Sequence, residues 1–63
     1  MAQEEVLFEI RRIGGSVKVS AIHGPTMTEI SVVCPASASE QQMKSVALQK
    51  LRYVLNKKAQ GGQ

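Results

Sequence analysis

VLFEIRRIGGSVKVSAIH, from Val6 to His23, is the stretch whose reading decides the fold. Two runs of eight residues, each largely alternating apolar with polar side chains, flank Gly14 and Gly15. Alternation with a period of two places successive side chains on opposite faces of a strand. A two-glycine loop can take the positive φ angles that primed hairpin turns demand. The stretch therefore reads as an antiparallel hairpin. With Gly14 and Gly15 as its loop, Ile13 faces Ser16, Arg12 faces Val17, Arg11 faces Lys18, Ile10 faces Val19 and Phe8 faces Ala21. Both strands then deliver apolar residues to one common face.

Outward from the hairpin, GPTMT gives a longer connection and TEISVVC, ending at Cys34, a third strand rich in β-branched residues. Pairing Ala21 with Ile30 sets Val19 beside Val32 and Val17 beside Cys34, which completes the apolar face. The opposite face carries Glu9, Arg11, Lys18, Ser20, Glu29 and Ser31, with Leu7, Ile13, Ile22 and Val33 near its margins. Helix formers run without interruption after Pro35 to about Lys58. Two overlapping cap signals mark the start: Ser37 with Glu40, and Ser39 with Gln42. The expected fold class is α+β: a three-stranded antiparallel β-meander with one C-terminal α-helix packed on one face, β-β-β-α. Residues 1–5 are expected to be a disordered N-terminus, 6–58 a single domain and 59–63 a flexible tail.

A chain of 63 residues makes one small domain, of a size that buries only about 60% of its unfolded surface. One cysteine allows no internal disulfide, and one cysteine with one histidine cannot supply an ordinary zinc site. Oligomerisation is the remaining source of stability. On the helix, Met43, Val46, Ala47, Leu51 and Val54 share one side, while Leu48 and Leu55 lie farther round. One small sheet covers a stripe of roughly 100°, so Leu48, Leu55 and Tyr53 are expected half exposed in a monomer. In a simple meander the third strand is an open edge with little charge, whereas the first is blunted by Glu9, Arg11 and Arg12. The expected interface is accordingly Glu29, Ile30, Ser31, Val32, Val33, Leu48, Tyr53 and Leu55, and the expected partner a second copy in a homodimer or a different protein.

Catalysis has little to work with. Cys34 stands where a strand meets a helix start, a place that can activate a thiol, but its parity points it inward with Ile30 and Val32. His23, expected on the surface beside the Pro25 turn, is far along the sheet from it. The chain has no aspartate and its glutamates are dispersed. GGSVK lacks a P-loop's glycine spacing and leads into a strand, not a helix. The closing GGQ matches the tripeptide of peptide-release factors, but it sits as a bare tail and reads as coincidence. No catalytic residue, metal or cofactor is expected.

The net charge of +3 is modest for a nucleic-acid binder. Lys44, Lys50, Arg52, Lys57 and Lys58 crowd the helix, where basic residues complement the negative end of its dipole. Arg11 opposite Lys18 is a like-charge pair that costs stability unless Glu9, solvent or an external anion relieves it. The β-β-β-α order with MKSVALQKLRYVL also resembles the second half of a double-stranded-RNA-binding domain, whose last helix presents lysines to phosphates. Only Lys44 stands near the helix start here, and no helix precedes the first strand. The alternative to protein binding is therefore weak anion or nucleic-acid contact through Arg11, Lys18 and Lys44.

From GGSVKVSAIHGPTMTEISVVCPAS through the terminal helix, about Val6 to Lys58, the chain resembles a group of very small uncharacterised bacterial proteins. The resemblance implies a stand-alone domain of unknown function. No run approaches the roughly 18 apolar residues of a spanning helix, no charged segment precedes a long apolar one, and a cytoplasmic, reducing compartment is expected. The functional expectation is a non-enzymatic protein-interaction module.

Overall fold

In the computed structural model, which describes residues 5–61, the hairpin forms as its alternation dictates. Strand β1 (Val6–Ile13) pairs with β2 (Ser16–His23), and β2 pairs with β3 (Thr28–Pro35), in an antiparallel sheet of order β1-β2-β3. Every pairing expected from the sequence is present, from Ile13 opposite Ser16 to Phe8 opposite Ala21 and from Val17 opposite Cys34 to Ala21 opposite Ile30. Only Gly14 takes a positive φ, 61°. That matches a type II′ turn, the primed hairpin turn that needs such a residue only at its first central position. Between β2 and β3, Gly24–Thr26 forms a 3-10 turn. Met27 closes it in the left-handed region, at φ 55°, with its N–H donating to the Gly24 carbonyl at 3.2 Å.

The turn also fixes which backbone groups are free. The carbonyl of Ile13 and the N–H of Ser16 close the turn, so this pair exchanges hydrogen bonds and the pairs alternate from there. Leu7, Glu9, Arg11 and Ile13 thus direct their backbone polar groups at β2. Val6, Phe8, Ile10 and Arg12 direct theirs at the open edge. The same phase carried to β3 turns Glu29, Ser31 and Val33 toward the other edge.

Helix α1 (Glu40–Gly61) starts where the second cap signal placed it. Ser39 Oγ accepts from the Gln42 N–H at 3.1 Å while Gln42 Oε1 accepts from the Ser39 N–H at 3.0 Å, a reciprocal capping box. The helix continues past Lys58 to Gly61 because Ala59 and Gln60 are good helix formers. The tail expected over 59–63 is helical that far, and its last two positions lie outside the described residues.

The helix packs mainly on β2 and β3, with β1 touched only at its inner side chains Val6 and Phe8. It leaves β3 through a short turn in which Ala36 N–H donates to the Gly15 carbonyl at 3.2 Å, so it begins above that side of the sheet. Two lysines then hold it there: Lys50 Nζ donates to the Ser31 carbonyl at 3.2 Å, and Lys58 Nζ to Thr28 Oγ1 at 2.9 Å. From Lys50 to Lys58 the helix rises about 12 Å, and from Ser31 back to Thr28 the strand spans about 10 Å, so α1 runs along β3.

The buried core joins Val17, Val19 and Ala21 of β2, Ile30 and Cys34 of β3, and Met43, Ala47, Leu48 and Leu51 of α1. Leu48, expected half exposed, is 6% exposed, and Val46, expected in the core, is 46% exposed. The helix is rolled so that the larger leucine is covered and valine is left out. The inner face of β1 receives less cover: Val6 and Phe8 are half buried, and Ile10 is 41% exposed.

Two sets of substitutions test these local assignments by urea unfolding. Gly14→Ala is expected to destabilise the domain by about 1–2 kcal/mol through its left-handed φ. A Cβ at Gly15 meets nothing within 4 Å, so Gly15→Ala should change stability by less than about 0.5 kcal/mol or raise it slightly. Ser39→Ala removes the cap and should cost about 1 kcal/mol.

Candidate functional site

The sheet has one face that no other described element covers. Across it, Leu7, Glu9, Arg11 and Ile13 of β1 lie beside Ile22, Ser20, Lys18 and Ser16 of β2, with Glu29, Ser31 and Val33 on β3. Its centre is polar. Ser20 Oγ and Ser31 Oγ are 3.0 Å apart, and Glu9, Arg11, Lys18, Ser20 and Glu29 line a shallow depression. Leu7, Ile13 and Val33 at the margins are all more than half exposed. Arg11 stands directly opposite Lys18, and among the described residues no ion pair within 4 Å joins either to a glutamate.

The helix side presents a second open surface. Val6 and Phe8 line a groove with Gln41, Lys44 and Ser45, and Ile10 and Arg12 line a second depression with Val17, Ala36, Ala38, Glu40 and Met43. Lys44 Nζ lies 3.4 Å from Glu40 Oε2 and 5.8 Å from the centre of the Phe8 ring. Lys44 is therefore on the opposite side of the sheet from Arg11 and Lys18. The three residues expected to contact an anion are not brought together.

The residues expected at the interface also separate. Ile30 and Leu48 are core residues. Val32 and Leu55 are half buried against that core, while Tyr53 is 62% exposed. Tyr53 and Leu55 project about 160° apart around the helix, so they do not form one flank. Glu29 and Val33 are exposed, but the Ser31 carbonyl between them already accepts from Lys50. A lysine reaching over an edge strand is one way in which that edge is closed to further pairing.

At the β2–β3 end a short polar chain runs through His23. Its Nδ1 is 2.8 Å from Thr26 Oγ1, Thr26 Oγ1 donates to Thr28 Oγ1 at 2.9 Å, and Nε2 is 3.6 Å from Glu5 Oε1. Lys58 completes the chain at Thr28. His23 is buried, not on the surface as expected, because the threonines and Glu5 satisfy its ring. The threonines flanking the Pro25 turn, three and five positions after the histidine, were the available signal. Glu5, read as part of a disordered start, takes part in this contact; residues 1–4 lie outside the described residues.

Cys34 is a free, buried thiol. It pairs with Val17 while His23 pairs with Thr28, which separates them by six positions along β2, about 20 Å. No base reaches the sulfur, and its burial suits a small apolar side chain. Among the described residues no three His, Cys, Asp or Glu side chains converge in a way that could hold a metal ion. No helix among them is long and apolar enough to cross a membrane.

No curated protein and no solved structure matches the chain. A family model does match, over residues 3–58, from before β1 through most of α1, and it describes a domain of unknown function (DUF6898). That span takes in the whole sheet, its uncovered face and the half-covered β1, and the chain belongs to this family.

Proposed function

We propose that the domain is a non-enzymatic protein-interaction module that self-associates as a homodimer in a cytoplasmic setting. The observation that carries this reading is the exposure of Leu7, Ile10, Ile13 and Val33 on a sheet with one uncovered face and a half-covered first strand. Leu7, Ile10 and Ile13 all lie on β1, an edge strand, and apolar side chains left exposed along an open edge favour a protein contact. The separation of Cys34 from His23 supports the non-enzymatic part, since the thiol is largely buried and the histidine is too far along the sheet to serve as its base.

The Arg11–Lys18 pair favours a second reading, contact with a phosphate. Three features weigh against it. Glu9 and Glu29 share the same depression and cancel the charge of the pair. Lys44 lies on the other side of the sheet and is engaged by Glu40. Lys50 and Lys58 are committed to β3.

Sedimentation from low micromolar to millimolar concentration is expected to show a monomer–dimer equilibrium; a monomer throughout would remove the proposal. A salt titration with duplex RNA and DNA is expected to show no salt-dependent binding at micromolar concentration, whereas a steep dependence would favour the phosphate reading. Thiol labelling of Cys34 should be slow in the native protein and complete only on denaturation. Rapid labelling of the folded chain would contradict the structural role given to Cys34.

A further inference from the structure

We propose that the dimer forms by antiparallel pairing of β1 with β1 of a second copy, in the register that sets Ile10 opposite Ile10 of that copy. This rests on the reading that the domain self-associates and moves the interface from the third strand, where the sequence alone placed it, to the first.

The placement of α1 makes the distinction. It lies along β3, and Lys50 occupies the Ser31 carbonyl, an acceptor that any ladder through the middle of that edge would need. At the other edge, β1 is a full strand of eight residues that the helix covers less than it covers β2 and β3. Its outward backbone groups belong to Val6, Phe8, Ile10 and Arg12, as the hairpin phase requires. A two-fold axis at Ile10 brings two outward-facing residues together, so Ile10 would exchange both backbone hydrogen bonds with its symmetry mate.

Side chains select this register over its neighbours. With the axis at Ile10, Glu9 of each copy stands opposite Arg11 of the other, twice, in the close non-hydrogen-bonded pairs. Leu7 meets Ile13, and Phe8 meets Arg12, whose guanidinium can stack on the ring face that Lys44 leaves free. Moving the axis to Glu9 puts Glu9 opposite Glu9, and moving it to Arg11 puts Arg11 opposite Arg11. Both are like-charge contacts. An axis at Phe8 gives a shorter ladder, sets Glu9 opposite Leu7, and leaves Arg11 facing only Glu5, which lies before β1 and whose carboxylate is at His23.

The chosen register also resolves the Arg11–Lys18 pair. Arg11 has no carboxylate within 4 Å in its own chain among the described residues, and the incoming Glu9 supplies one beside it. On the helix side, the half-covered inner faces of the two β1 strands would join into one apolar floor between two helices. Phe8 and Ile10 of both copies would lie there, removing the exposure that α1 alone leaves at Ile10.

The test uses the full chain with Glu9→Arg and Arg11→Glu, separately, together and mixed. Each single variant replaces two attractive cross-strand contacts by two repulsive ones and is expected to weaken the dimer roughly tenfold or more at low ionic strength. An equimolar mixture of the two single variants should form a heterodimer, because both 9–11 contacts become attractive again. The double variant should dimerise as the wild type does. Circular dichroism reports folding separately, and both side chains are exposed in the monomer. If the wild type dimerises and the single variants do so equally well, or if the mixture gives no heterodimer, the register is wrong while self-association stands. If the wild type stays monomeric at every concentration, both readings fall.

Discussion

One helix cannot cover three strands. With its side chains a helix is about 10–12 Å across, while three strands and their flanks occupy about 14 Å. Some part of the inner face must stay open, and the position of the helix decides which part. Here the short exit from β3 and the two lysine contacts at Ser31 and Thr28 place α1 over β2 and β3. The first of these contacts also occupies an outward carbonyl of β3, at Ser31, while β1 has no such contact on its outward backbone among the described residues. Every property that bears on association follows from this asymmetry: the buried Leu48, the exposed Ile10, the half-open groove beside Phe8 and the unshielded backbone of β1.

Strand pairing was legible from the sequence because two local rules agree. Period-two alternation assigns faces, and a two-residue glycine loop sets the register between β1 and β2 without ambiguity. The cap was legible to within a choice of two serines, and the geometry selects Ser39. The roll and offset of the helix were not legible. They depend on where long, flexible lysine side chains find acceptors, and helical periodicity does not encode that. Reading the apolar arc from Met43 to Val54 without those tethers put Val46 inside and Leu48 out, the reverse of what the packing gives. His23 was misplaced for a similar reason. Its burial rests on Thr26, Thr28 and Glu5 acting together, each of which alone looks like ordinary turn or terminal chemistry.

The same asymmetry orders the functional readings. Basic residues that a linear count groups together are dispersed by the fold, with Arg11 and Lys18 on one side of the sheet, Lys44 on the other, and Lys50 and Lys58 spent on holding the helix. Cys34, at a junction that can activate a thiol, is instead one of the side chains on which the helix rests. What remains unsatisfied is backbone and apolar surface along β1, with charges of alternating sign at Glu9 and Arg11. Such a strand discourages indiscriminate pairing but accepts a partner whose charges run the opposite way, and an antiparallel copy of itself is one such partner.

Amide hydrogen exchange resolved by residue, measured at concentrations below and above the dimer midpoint, probes the edge most directly. Amides of Leu7, Glu9, Arg11 and Ile13 face β2 and should be protected at both concentrations, whereas those of Phe8, Ile10 and Arg12 should become protected only in the dimer. Unchanged exchange at Phe8, Ile10 and Arg12, with new protection at Glu29, Ser31 and Val33, would contradict the assignment of β1 as the associating strand and return the interface to β3.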